Sequence, residues 1–227
     1  MELIKKIQKL LFFIPVFIYD LVISRMLTIV TYKIMMKELK KDEKQFNQIK
    51  DFLDIGVGTA RPLYEIYPDL PKNTQVLGVD IDANYVKAAQ QLFKKNDNVE
   101  IKLEDFYNIE KNLDGRKFDI VLFSSSFMLM PDKQWALNIA KQLLKPNGKI
   151  LFILTLNEKK NPIAEKIKPI IKYITTIDFG AVTYKKDFME LMQKQNDLNM
   201  GPLVRIYQKS NPLTYLLKIY YVEAVRK

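Results

Sequence analysis

The chain has neither cysteine nor histidine in its 227 residues. The first absence excludes a disulfide framework, thiolate chemistry and cysteine-held metal sites. The second removes the usual general base and the commonest metal ligand, so no metal site is expected and proton transfer falls to carboxylates, Tyr, Lys or water. Low-complexity runs and internal repeats of solenoid period are also missing. What remains is an ordered globular composition, 48% hydrophobic and 27% charged, long enough for one full core with an appendage.

The informative stretch runs from Asp51 to Leu63. Phe52, Leu53 and Ile55 read as a short buried strand, which Gly56 and Gly58 break with a turn that lets backbone approach a ligand. A second apolar strand, Gln75–Val79, ends in Asp80. Strand, glycine turn, helix and a second strand ending in an acid make the nucleotide-binding half of a Rossmann-like sheet, the acid accepting hydrogen bonds from ribose hydroxyls. The dinucleotide fingerprint is incomplete, because Arg61 stands where its third glycine belongs. Asp54 beside the glycines suits a cationic ligand and repels a pyrophosphate.

The string Leu53-Asp54-Ile55-Gly56-Val57-Gly58-Thr59 resembles motif I of the class I S-adenosylmethionine-dependent methyltransferases. The resemblance implies that Asp54 helps hold the ammonium of the cofactor's methionine part. It also implies a glycine turn of Gly56, Gly58 and Thr59 around that part, and Asp80 and Ile81 at the ribose and adenine. Asp105 and Phe106 fall where the family sets an acid near the adenine amino group and a side chain against the ring, and Ser124 closes the strand beside them. Phe118 to Asp132 resembles motif IV, and Leu143 to Ile150 the Leu-Lys-Pro-Gly-Gly motif that follows it. The likeness covers about residues 51–156 and implies S-adenosyl-L-methionine as cofactor. Ala60 replaces the third glycine of motif I, Met128 and Leu129 replace a His pair of many quinone methyltransferases, and Ser124 to Phe127 replaces the Pro-Pro box of amino-methyltransferases.

The expected fold is therefore α/β, a mostly parallel sheet with an antiparallel final strand, flanked by helices. Predicted strands are Phe52–Ile55, Gln75–Val79, Val99–Leu103, Phe118–Phe123 and Lys149–Leu154. Predicted helices cover Arg61–Tyr67, a segment after Asp82 and Trp135–Leu144, with a turn at Lys145 to Gly148. In the last third, helices are expected over Ile163–Tyr173 and Asp187–Gln195, and strands over Val204–Gln208 and Tyr220–Val225. Tyr173, Tyr184 and Lys185 are polar candidates for an acceptor pocket. Asp178-Phe179-Gly180 spells a kinase magnesium motif without the other kinase parts and is read as coincidence.

Charge is uneven: residues 1–50 carry net +5 and 157–227 net +6, while 51–156 carry net −1. Residues 1–45 form an N-terminal segment ahead of a methyltransferase domain at 46–227. After Lys5, Lys6 and Lys9 comes a largely apolar run to Met36, in which Asp20, Ser24, Thr28 and Thr31 form one helical stripe. Such a segment suits a helix lying in a bilayer interface, or one that caps the core. Asp20 and Arg25 argue against a span. These features lead to an expectation of an intracellular enzyme, peripheral or monotopic on a mitochondrial or endoplasmic reticulum membrane through residues 1–36. Its acceptor is expected to be small or lipid-like. The alternatives are a protein or RNA methyltransferase gripping its substrate with basic ends, and a catalytically inactive methyltransferase-like subunit. No residue announces itself as a catalytic base.

Overall fold

The computed structural model describes residues 27–160, 162, 165–166, 182–209, 211, 214 and 217–227. Most of the apolar N-terminal run, most of the expected helix over Ile163–Tyr173 and all of Asp178-Phe179-Gly180 lie outside the described residues.

Helix α1 (Ile29–Leu39) and the single turn α2 (Glu43–Phe46) lead into β1 (Asp51–Ile55). There follow α3 (Arg61–Ile66), β2 (Gln75–Asp80), α4 (Ala83–Phe93), β3 (Val99–Leu103), β4 (Phe118–Ser124), α5 (Lys133–Leu143) and β5 (Leu144–Thr155). The chain closes with α6 (Lys185–Gln193), β6 (Leu198–Met200), β7 (Val204–Ile206) and β8 (Ile219–Arg226). The strand order is β3-β2-β1-β4-β5-β8-β6, with β7 also paired to β8. Strands β1 to β5 are parallel and β8 runs antiparallel between β5 and the edge. This is the expected α/β sheet with an antiparallel final strand. Between β1 and β4 the strand order reverses direction, and a crevice opens there beyond the carboxyl ends of the strands.

Strand side chains alternate between two cores, and helices cover both faces, so the strands are apolar almost throughout. Phe52, Val76, Ile120, Leu122, Leu151 and Ile153 face one side with α1, α3 and α4. Leu53, Leu77, Val121, Phe123, Ile150 and Phe152 face the other with α5 and α6. On that second face Phe106, Phe123, Phe127, Phe152 and Phe188 pack largely edge to face.

Three local features differ from the sequence reading. Helix α5 starts two residues early because the Asp132 carboxylate accepts the Trp135 N–H at 2.8 Å and caps it. The turn at Lys145 to Gly148 is a bulge inside β5, since Phe118 pairs with Leu144 but Ile120 pairs with Lys149. The edge is longer than expected. Strands β6 and β7 form one edge interrupted where Gly201, Pro202 and Leu203 oppose only Val222 and Glu223, and a bulge is where a sheet tolerates proline.

At the amino end of the sheet, Lys145 Nζ reaches Asp51 at 2.6 Å and Asp119 at 3.0 Å, and Arg116 reaches Asp51 at 3.2 Å. The group ties β1, β4 and β5 together at the end away from the crevice.

Helix α1 is part of the domain core. Tyr32, Met35, Met36 and Leu39 are buried in the same cluster as Phe52, Leu63 and Ile66. Thr31 is buried as well and donates to the Thr28 carbonyl at 2.8 Å. From Ile29 onward the apolar face of the segment is therefore covered by protein. No described helix is long and apolar enough to cross a membrane.

Met35→Ala should lower unfolding free energy by about 2–5 kcal/mol, as expected for truncating a fully buried side chain. The check is a urea titration; an unchanged midpoint would make α1 an independent appendage.

Candidate cofactor site

The crevice is built on the glycine turn after β1. Gly56 has φ +71° and Gly58 φ +57°. Gly56 and Val57 both donate their N–H to the Val79 carbonyl, at 2.8 and 3.0 Å, which docks the turn on β2. A Cβ on Gly56 would lie 2.6 Å from Ser126 Cβ, so only glycine fits there. Ala60, at the third-glycine position, is left-handed with φ +55° and opens helix α3, a conformation that costs an L-residue about 1 kcal/mol. Thr59 is buried in the turn.

Asp80 ends β2 and binds the same turn. Its Oδ2 accepts the Gly58 N–H at 2.8 Å and its Oδ1 accepts the Asp82 N–H at 2.9 Å. Burial raises its pKa, and these backbone donors work against the rise. A carboxylate has about four acceptor sites, so the backbone donors leave Asp80 with acceptor capacity for a hydroxyl.

Asp54 is fully buried in β1. Its Oδ2 accepts the Tyr32 hydroxyl at 2.8 Å, while Oδ1 has no partner. Burial pushes its pKa up to about 7; the Tyr32 hydrogen bond pulls it down and the Asp80 charge raises it again. Across the crevice Ser124 closes β4, Ser125 is left-handed at φ +60°, and Ser126 is buried against Gly56. The hydroxyls of Ser124 and Ser126 are buried without partners. Buried polar groups are normally satisfied, so three orphans around one crevice need an explanation. One buried acceptor and two buried hydroxyls complement an ammonium and a carboxylate, the free amino-acid end that S-adenosylmethionine carries. The residues present fit that group.

The adenine side is arranged differently from the sequence reading. Ile81 is 76% exposed and Leu103, the register partner of Asp80 on β3, is 56% exposed. Asp105 caps the following 3₁₀ turn, with Oδ1 accepting the Tyr107 N–H at 3.0 Å. Phe106 points into the core, 3% exposed, with its ring edge-on to Phe123. The open apolar surface beside Asp80 thus belongs to Ile81 and Leu103. Asp54, Gly56, Gly58, Thr59, Asp80 and Ser124 converge on the crevice, Ile81 and Asp105 lie along its β2–β3 rim, and Phe106 supports from behind.

Tyr32, Leu103 and Ser126 are the residues that sequence reasoning missed. Ser126 had a weak signal in the serine run; Leu103 and Tyr32 had none. Tyr107 is tied to Asp132, donating to its carbonyl at 2.8 Å, and burial raises its pKa, so it is no base near neutral pH. Of the polar acceptor-pocket candidates, Tyr173 lies outside the described residues. Tyr184 bridges to Asn157, and Lys185 begins α6 with its ammonium over the Tyr220 ring. Among the described residues no carboxylate cluster is placed to hold a metal ion.

A family model described as a methyltransferase domain matches residues 47–197. The chain belongs to this methyltransferase-domain family. The chain is similar to an uncharacterized methyltransferase of Schizosaccharomyces pombe, 26% identical over 141 residues, which is 62% of this chain and 53% of that protein. It is also similar to a demethylmenaquinone methyltransferase of Chlamydia caviae, 25% identical over 61% of this chain and 59% of that protein. The chain thus spans little more than half the length of these curated relatives. Among solved structures, the plantazolicin methyltransferase BpumL in complex with S-adenosylhomocysteine (SAH) superposes with a TM-score of 0.68 at 14% identity, covering 100% of this chain and 98% of that one. A SAM-dependent methyltransferase from Aquifex aeolicus gives a TM-score of 0.60 at 17% identity over 83% and 89% of the two chains. At such identities the superpositions speak for the fold.

Asp80→Asn should weaken SAH binding about 10- to 100-fold in calorimetric titration, the cost of losing a charged acceptor on the glycine turn and ribose. A second prediction concerns pH. The folded-state pKa of Asp54, about 7, lies above the unfolded value of 3.8, so between those values the folded protein holds the extra proton. The unliganded protein then loses stability as pH rises from about 4 to about 7. Urea titrations at pH 5 and pH 8 should show this loss in the wild type and much less of it in Asp54→Asn.

Proposed function

We propose that this chain is an S-adenosylmethionine-dependent methyltransferase that works at a membrane surface on a small, lipid-like acceptor. The observation that carries the acceptor class is the apolar rim beyond the carboxyl ends of the strands. Leu129, after β4, is 41% exposed and Trp135, the only tryptophan, is 47% exposed on the first turn of α5. An open crevice between apolar walls favours an apolar or aromatic acceptor over a polyanion. The Chlamydia relative is named for demethylmenaquinone. With no cysteine in the chain, there is no thiolate to hold a soft, thiophilic acceptor.

S-adenosylmethionine, when bound, supplies a methyl group already activated by a positive sulfur. Asp80 would take the ribose hydroxyls with its remaining lone pairs. Asp54 Oδ1 would take the ammonium and the serine hydroxyls the carboxylate, while Ile81 and Leu103 would cover the adenine and Asp105 would accept its amino group. With the donor held at its two ends, Leu129 and Trp135 on the β4–α5 side would exclude water and seat the acceptor. The chemistry the donor would supply is in-line methyl transfer to an acceptor lone pair, its sulfonium leaving as a thioether. The protein's contribution is mainly positioning. Where the acceptor is a hydroxyl, its proton passes to a carboxylate or to solvent, since histidine is absent.

Membrane contact is assigned to residues ahead of α1, because the apolar side of α1 is already covered. Removing residues 1–26 should abolish co-sedimentation of the protein with anionic liposomes and leave SAH affinity within about threefold. Full-length protein that ignores such liposomes overturns the membrane part of the reading. Transfer of labelled methyl from S-adenosylmethionine into an organic-extractable product of a membrane lipid extract tests the acceptor class, and label confined to RNA or protein overturns it.

A further inference from the structure

Helix α1 reaches the cofactor crevice through one side chain. Tyr32 is 3% exposed, lies 22 residues before Asp54 in the chain, and places its hydroxyl 2.8 Å from Asp54 Oδ2. The neighbouring strands offer the carboxylate nothing comparable, since its register partners are Gly78 on β2 and Leu122 on β4. A carboxylate gripped at one oxygen and bare at the other is oriented, and its bare oxygen is the acceptor left for a ligand.

We infer that Tyr32 is a positioning residue of the cofactor site, holding Asp54 by Oδ2 so that Oδ1 faces the ammonium of the bound cofactor. The inference rests on S-adenosylmethionine being the ligand of the crevice. The position of α1 follows from it. Met35, Met36 and Leu39 anchor the helix to the core, and the anchored helix delivers a single polar group to the motif carboxylate. Tyr32 also acts electrostatically. The hydroxyl stabilises the charged carboxylate, whereas burial and the charge of Asp80 oppose it. Among the described residues, Tyr32 from α1 and Asp80 from the end of β2 are the titratable groups that bear on Asp54, and β4 contributes the non-titrating Ser124. Removing the hydroxyl therefore keeps Asp54 neutral to higher pH, and a neutral acid holds an ammonium poorly.

The test compares two probes that differ at the end Tyr32 is held to serve. SAH carries the amino-acid group; 5′-methylthioadenosine shares the adenosine and lacks it. Both are titrated calorimetrically into full-length wild type and Tyr32→Phe from pH 6 to 8, with thermal unfolding as a check on folding. The expected result for Tyr32→Phe is about tenfold weaker SAH binding at pH 7, with the rise of affinity with pH moved up by about one unit, and unchanged 5′-methylthioadenosine binding. Equal weakening of both probes assigns Tyr32 a purely structural role and overturns the inference, as does a Tyr32→Phe protein that fails to fold. Asp54→Asn gives the same comparison without touching α1. It should remove the preference for SAH, and Tyr32→Phe should add nothing further in that background; an additive loss also overturns the inference. A folded wild type that binds neither probe overturns the cofactor reading itself, an outcome distinct from all the others.

Discussion

A carboxylate without water around it sits in the central strand of the sheet, and much of the surrounding design answers to that burial. Asp54 is inaccessible to solvent, and leaving a charge in such a place is costly unless it is paired. One oxygen is answered from within the protein by Tyr32. The other has no partner, and the buried hydroxyls of Ser124 and Ser126 at the end of β4 have none either. These are the groups to which the ammonium and carboxylate of the proposed cofactor would bind.

The reversal of strand order supplies the space in which this happens. Because β1 and β4 send their following segments to opposite faces, the ends of the two strands are left uncovered between them. The glycine turn then narrows the opening from one side and the serine run narrows it from the other. Gly56 and Ser126 are close enough that no side chain fits between them. Asp80 holds the turn in place there, accepting the Gly58 N–H.

Much of this was legible before any coordinates. The run Phe52 to Ile55, broken by glycines and followed by a strand ending in Asp80, marks both strands and the crevice, because buried parallel strands and a left-handed turn each leave a sharp local signature. What was not legible depends on contacts distant in sequence. The stripe Asp20, Ser24, Thr28 and Thr31 reads as one solvated face, yet Thr31 is buried and bonded back to Thr28, so the interior claims that side of α1. Nothing local distinguishes Tyr32 from the apolar residues around it. Phe106 departs from its expected place against the adenine because the 3₁₀ turn capped by Asp105 carries the ring inward. Strand β6, three residues long, is too short for any alternation to show.

The ionic group at the amino end of the sheet has a consequence of its own. Lys145, Asp51, Asp119 and Arg116 join β1, β4 and β5 at the pole opposite the crevice. The two ends of the same strands are thereby under separate constraints: one pole keeps the strands in register and the other keeps polar groups open. Substitutions at the ionic pole can be accepted or rejected on folding alone, while those at the open pole are also judged by the ligand. Such a sheet can drift in thermal tolerance without drifting in chemistry, and a search for hardier variants of this protein belongs at the closed end.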